Sequence, residues 1–144
     1  MWLTDRAARP TRILAAIAVA ALMLATGGCD QLSTPDPERM DAISAELGAT
    51  LAQRPDVVKA EVFYQDSLDA AGTALVAITV KPGADFDPVV DEALRLVWQS
   101  RLGRLFIIEI DVTDLDNHTG TQRKVRVDQE KAELERRYGP HPAT

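Results

Sequence analysis

Asp87-Pro88-Val89-Val90-Asp91-Glu92-Ala93-Leu94-Arg95-Leu96-Val97-Trp98 is the stretch on which the fold turns. Val89, Val90, Ala93, Leu94, Val97 and Trp98, with Phe86 ahead of them, recur at three- and four-residue steps and so share one face of a helix of about four turns. Asp87 offers an N-cap carboxylate, and Pro88 lacks only an N–H that the first turn leaves unpaired anyway. Gly103 ends the helix. Trp98 lies on the apolar stripe, which predicts a core position rather than a stacking surface for a ligand. Runs rich in β-branched residues flank this helix, Thr73–Lys81 before it and Leu105–Val112 after it. Strand, capped helix and strand in that order form a natural crossover within one sheet.

The first of these strands has a partner upstream. Val57 to Gln65 reads as a strand with Val58, Ala60, Val62 and Tyr64 on one face and Lys59, Glu61 and Phe63 on the other. The loop 66–72 joins it to Thr73–Lys81, where Ala74, Val76, Ile78 and Val80 are in phase, predicting an antiparallel hairpin; Pro82-Gly83 stops the second strand. Phe63 is open to two readings, covered by a helix or exposed as a contact for a partner. Ahead of the hairpin, Asp36-Pro37 opens a helix over about 37–53, with Met40, Ile43, Leu47 and Leu51 as its apolar stripe and Arg54-Pro55-Asp56 as its stop.

Downstream, Phe106, Ile108, Ile110 and Val112 predict the inward face of the third strand. Leu105 and Ile107 suggest a central strand partly covered on both sides. Asp114 to Gly120 is predicted as a loop. Arg123-Lys124-Val125-Arg126-Val127 reads as a charge-protected edge strand, and Asp128 as the cap of a last helix reaching Tyr138, its stripe supplied by Val127, Leu134 and Tyr138. Gly139-Pro140 ends that helix ahead of a loose tail. The expected fold is α+β, a four-stranded, mostly antiparallel sheet with packed helices in the order α-β-β-α-β-β-α. Glu61/Glu109, Asp66/Asp114, Gly72/Gly120 and Thr73/Thr121 share a spacing of 48, a weak sign of duplication, against which Val76 and Ile78 align with Lys124 and Arg126.

The N-terminus has another character. Arg6, Arg9 and Arg12 precede an unbroken apolar or small run from Ile13 to Ala25, then Thr26-Gly27-Gly28-Cys29. A helix of about 13 residues spans roughly 20 Å, short of a hydrocarbon core of about 30 Å. A positive start, a short apolar core and small residues before a cut read as a secretory signal. Because the small residues end on the single cysteine, the stretch resembles the lipobox of bacterial lipoproteins, with Thr26 where an aliphatic residue is usual. The resemblance covers about the first 30 residues and implies cleavage before Cys29, a diacylglyceryl group on its thiol, and attachment to the extracytoplasmic face of the bacterial cell membrane. Two acyl chains suffice for stable anchoring. The chain then divides into a signal peptide (1–28), a lipidated Cys29 with linker (29–35) and one α+β domain (36–144). Residues 30–35 reach about 20 Å when extended.

Removing residues 1–28 takes away three arginines and Asp5, leaving 13 Lys+Arg against 21 Asp+Glu, a net charge of −8. Such a surface disfavours nucleic-acid phosphates and anionic headgroups alike. With one cysteine, a structural disulfide within the chain is excluded.

Catalytic signals are sparse. His141 lies in the tail between prolines, where packing is not expected to position it. Asp114-Leu115-Asp116-Asn117-His118-Thr119-Gly120 has the oxygen-rich look of a calcium loop, making Asp114, Asp116 and His118 weak candidate ligands. The EF-hand spacing would require glycine at Thr119 and a carboxylate at Val125. Asx residues and glycine also serve an ordinary hairpin turn. Ser44, Ser67 and Ser100 lack a nucleophile-elbow pattern. Asp91-Glu92 and Asp85/Asp87 are acidic pairs suited in principle to acid–base work, though acids at a helix start commonly serve the dipole. No cofactor is expected. The sequence points to a membrane-anchored, non-catalytic binding or structural module with an envelope protein as partner; a small envelope hydrolase using acidic residues is the alternative.

Overall fold

Ala74, Val76, Ile78 and Val80 alternate along one strand and are each at most 2% exposed, which places that strand at the centre of the core. In the computed structural model, which describes residues 36–116 and 119–142, the elements run α1 (Pro37–Ala52), β1 (Val57–Gln65), β2 (Thr73–Val80), α2 (Phe86–Gln99), β3 (Ile107–Asp114), β4 (Gly120–Arg126) and α3 (Val127–Tyr138). The fold is α+β in the predicted order. The sheet is ordered β1-β2-β3-β4, with antiparallel outer pairs and a parallel central pair, β2 with β3. The parallel pair follows from the crossover, since a chain returning through α2 re-enters the sheet in the same direction.

Every sheet side chain that is fully buried points to one side. Val62, the alternate residues of β2, Ile108, Ile110, Val112 and Val125 join Leu47 and Leu51 of α1, Val89, Ala93, Val97 and Trp98 of α2, and Leu134 and Tyr138 of α3 in one core. The other face has no buried row apart from Thr73, and among the described residues helices cover the sheet on one side only. Ile107 is half-buried there, which corrects the expectation of a third strand covered on both faces. Leu105 is buried, but ahead of the strand, where it and Leu102 close one end of the core. Phe106 is consequently turned outward at 41% exposure rather than inward.

Three local features differ from the sequence pattern. The register of β1 shifts between Val57 and Lys59, a bulge that buries Val57 and leaves Val58 48% exposed, reversing the phase expected at Val58. Helix α2 starts one residue before Asp87: Asp85 is the N-cap, and its side chain accepts from the Asp87 N–H. Asp36 caps α1 as expected, accepting from Glu38 N–H. Arg126, not Asp128, occupies the cap position of α3, with no side-chain cap bond, while Asp128 in the first turn pairs with Arg126 at 3.3 Å.

Two glycines permit close approach. A Cβ on Gly48 would lie 3.1 Å from the Ala60 carbonyl, so its absence lets α1 press onto the β1 backbone. Gly72 has φ +55, and a Cβ there would meet the Arg104 carbonyl at 2.2 Å. The duplication signal acquires a geometric form: β1 and β3 correspond at the spacing of 48, but the second hairpin is one residue shorter, so β2 and β4 correspond at 47 and Ile78 aligns with Val125. Val76 then aligns with Arg123, and the Gly72/Gly120 and Thr73/Thr121 matches fall out of register, so the sign of duplication stays weak.

Candidate functional site

The bare sheet face is assembled from residues far apart in sequence. One row across it runs Phe63, Leu75, Glu109, Lys124, the next Glu61, Ala77, Asp111, Gln122, and a third Gln65, Thr73, Ile107, Arg126. Phe63 is 53% exposed, which decides between the two readings of that residue: among the described residues no helix covers the ring. Leu75, opposite Phe63, and Ile107, one strand and one row further on, are half-buried. Phe106 borders this apolar strip with the Arg104 guanidinium 5.6 Å from its ring centroid. Around the strip lie surface ion pairs, Lys124 with the half-buried Glu109 at 3.3 Å and Lys59–Glu61 at 2.9 Å, with Gln122 donating to Glu109. Exposed pairs of this kind add little stability; they give the face a mixed, hydrated rim around an apolar centre.

The acidic pairs are held by cations and backbone amides. Asp91 accepts from the Tyr138 hydroxyl at 2.5 Å and pairs with Arg137 at 2.6 Å. Burial, the bond to Asp91 and its charge together push the Tyr138 hydroxyl up to about 12. Glu92 takes two bonds from Arg95, at 3.0 and 2.7 Å, and that bidentate contact holds its carboxyl below the usual range. Arg54 does the same for Asp56, at 2.9 and 2.6 Å. A general acid needs the opposite displacement, upward toward neutral pH.

Asp114, one of the proposed metal ligands, closes β3 and is 4% exposed. Its two oxygens accept from Gly83 N–H at 3.0 Å and Asp116 N–H at 2.9 Å, tying the end of β3 to the turn that follows β2. Asp116 is exposed. His118 and Cys29 lie outside the described residues. Among the described residues no three His, Cys, Asp or Glu side chains converge as a metal site, and no helix is long and apolar enough to cross a membrane.

The C-terminal segment is where the sequence reading is corrected most. Trp98 is 1% exposed, as its helical phase predicts, and its indole Nε1–H donates to the Gly139 carbonyl at 2.8 Å. Gln99 donates to the Tyr138 carbonyl at 2.7 Å. His141 meets Trp98 edge-to-face at 4.7 Å between ring centroids, so packing does position this histidine and the tail is docked through residue 142. The missed signal was the indole N–H: a tryptophan buried on an apolar stripe still needs an acceptor.

Comparison with known protein families, with curated proteins and with solved structures finds no match to the chain.

Proposed function

We propose that this chain is a lipid-anchored protein of the bacterial cell envelope, whose acidic α+β domain serves as a non-catalytic binding or structural module at the extracytoplasmic face of the membrane, with an envelope protein as its partner. The observation that carries the reading is in the sequence: three arginines, a short apolar run and small residues that end on the single cysteine, Cys29, a few residues ahead of the domain. Helix α1 is capped at Asp36, seven residues beyond Cys29, so the tether reaches no more than about 25 Å when fully extended. A domain with a net negative surface does not adhere to anionic headgroups by charge, and an acyl anchor on Cys29 holds it there by apolar insertion instead.

The one-sided sheet supports the second half of the proposal. Its centre of Phe63, Leu75 and Ile107 within a charged rim has the composition of a transient protein contact, apolar in the middle and hydrated around it. The acids that would serve a hydrolase instead stabilise helix starts and ion pairs. Metabolic labelling with radioactive palmitate tests the anchor: the wild-type chain should take up label, and Cys29→Ser should abolish it and leave a heavier precursor. Unchanged labelling in Cys29→Ser would refute the proposal.

A further inference from the structure

One end of the domain is drawn together around residues 103–106. The Gly103 N–H donates to Met40 Sδ, near the start of α1, at 3.1 Å, and the Tyr64 hydroxyl at the end of β1 donates to the Arg104 carbonyl at 3.0 Å. Phe106 N–H donates to the Gly72 carbonyl at 2.8 Å, and Val127 N–H to the Phe106 carbonyl at 2.9 Å. The start of α1, the loop after β1 and the start of α3 therefore share this end. The opposite end lies about 25 Å away, the length of the eight residues of β2.

Charge divides between the two ends. Arg39, Arg101 and Arg104 are exposed and stand within two residues of the Met40–Gly103 contact. None of the three makes an ion pair with a described residue, whereas every other arginine among the described residues is held by a carboxylate. Arg104 lies over the exposed Phe106 ring, and Leu68 is fully exposed on the neighbouring loop. Asp36 and Asp66 at this end accept from backbone N–H groups. Glu38, Asp41 and Asp69 are exposed there too, so the end is not basic enough to recruit a free domain. The opposite end, where β2 and β3 stop and α2 begins, gathers Asp85, Asp87, Asp114 and Asp116.

We infer that the arginine end is a lipid-facing surface. Arg39, Arg101 and Arg104 meet the phosphates of anionic headgroups, Phe106 and Leu68 rest at headgroup level, and the tethered domain stands with its aspartate end away from the membrane. The inference rests on the anchor at Cys29: a tether of at most about 25 Å holds the start of α1 near the bilayer and leaves the far end out of its reach. Guanidinium groups match phosphate geometry, and apolar side chains beside cations suit the boundary between headgroups and acyl chains. The net negative charge opposes adsorption of the free domain, so these groups orient a domain that the anchor already holds. The strands then stand upright, and the bare sheet face stays open sideways to a protein partner.

Residues 29–144 carrying Cys29→Ser contain every core residue among those described. An N-terminal histidine tag binds them to vesicles with a nickel-chelating lipid, which supplies the tether whether or not Cys29 is acylated in the cell. An environment-sensitive fluorophore is attached at Leu68→Cys or, in the loop at the opposite end, at Leu115→Cys. On vesicles containing phosphatidylglycerol the label at 68 should brighten and shift to the blue, and the label at 115 should not. High salt should reverse the change, and phosphatidylcholine alone should give little of it. Arg101→Glu with Arg104→Glu should abolish the shift without releasing the domain, whereas Lys131→Glu with Arg136→Glu should leave it intact. Equal responses at both labels, indifference to lipid charge, or a shift that survives Arg101→Glu with Arg104→Glu would overturn the inference. So would no response at all, as when a protein covers this end, or a response to inorganic phosphate without vesicles. Because the tag replaces the anchor, failure here leaves the acylation of Cys29 to be decided by palmitate labelling.

Discussion

Replacing Trp98 by phenylalanine tests how the C-terminal segment is held. The substitution removes the indole N–H that donates to the Gly139 carbonyl at 2.8 Å and the part of the ring system that fills a fully buried site against His141. Losing a buried hydrogen bond, with its acceptor left behind, costs about 1–3 kcal/mol. The vacated apolar volume adds about 1–2 kcal/mol, less than full truncation of a tryptophan because phenylalanine refills much of the space. The expected loss is therefore about 2–4 kcal/mol. Urea unfolding of residues 29–144 carrying Cys29→Ser, followed by far-ultraviolet circular dichroism, measures it. Ending the chain at Tyr138 removes the same acceptor while leaving the ring, so the two changes share one interaction and must be non-additive. In the shortened chain Trp98→Phe should cost only the volume part, about 1–2 kcal/mol. A Trp98→Phe loss below about 0.5 kcal/mol, or strict additivity with the truncation, would refute the docking of the tail through Trp98.

Three further outcomes follow from the same geometry. Gly72→Ala should destabilise by about 2–4 kcal/mol, because a left-handed residue acquires a Cβ that collides with the Arg104 carbonyl and the Phe106 ring; a thermal midpoint within a degree of wild type would contradict the turn geometry. Stability should fall as pH rises from about 10 toward about 12, because the unfolded chain releases the Tyr138 proton at the ordinary tyrosine value while the fold retains it. Tyr138→Phe should flatten that decline in alkaline urea titrations without abolishing it, since burial also raises Tyr64; an unchanged slope would show that Tyr138 is not responsible. Calcium or magnesium titration should leave the melting temperature nearly constant, because both oxygens of Asp114 already accept backbone amides. A large concentration-dependent rise would restore the 114–120 loop as a metal site.

The parts of the fold legible in the sequence were those written as periodicity. The α2 stripe, the β2 alternation and the Asp36-Pro37 cap each state a local preference that tertiary packing reinforces, and all three elements form as read. Val58 and Phe106 misled because a bulge and a strand start change which face a residue takes, and neither leaves a local signature in an apolar run. Asp85 and Asp87 are both acids at the start of α2, and residue type alone does not choose between them; the Asp87 N–H bonds to the Asp85 side chain. The bare sheet face was harder still. Phe63, Leu75 and Ile107 become neighbours only through strand order and register, which depend on long-range pairing rather than on any one segment. His141 was missed for a related reason, since its partner Trp98 is more than 40 residues away and nothing around Pro140 or Pro142 announces the contact.

The central claim, a domain tied closely to a membrane through Cys29, is tested most directly by the intact mass and N-terminal sequence of the protein extracted from membranes of the producing cell. The account predicts a chain beginning at Cys29, heavier than residues 29–144 by a diacylglyceryl group, and a further acyl chain where the new amino terminus is also modified. A chain that still begins at Met1, or one cleaved elsewhere with an unmodified Cys29 thiol, would contradict it.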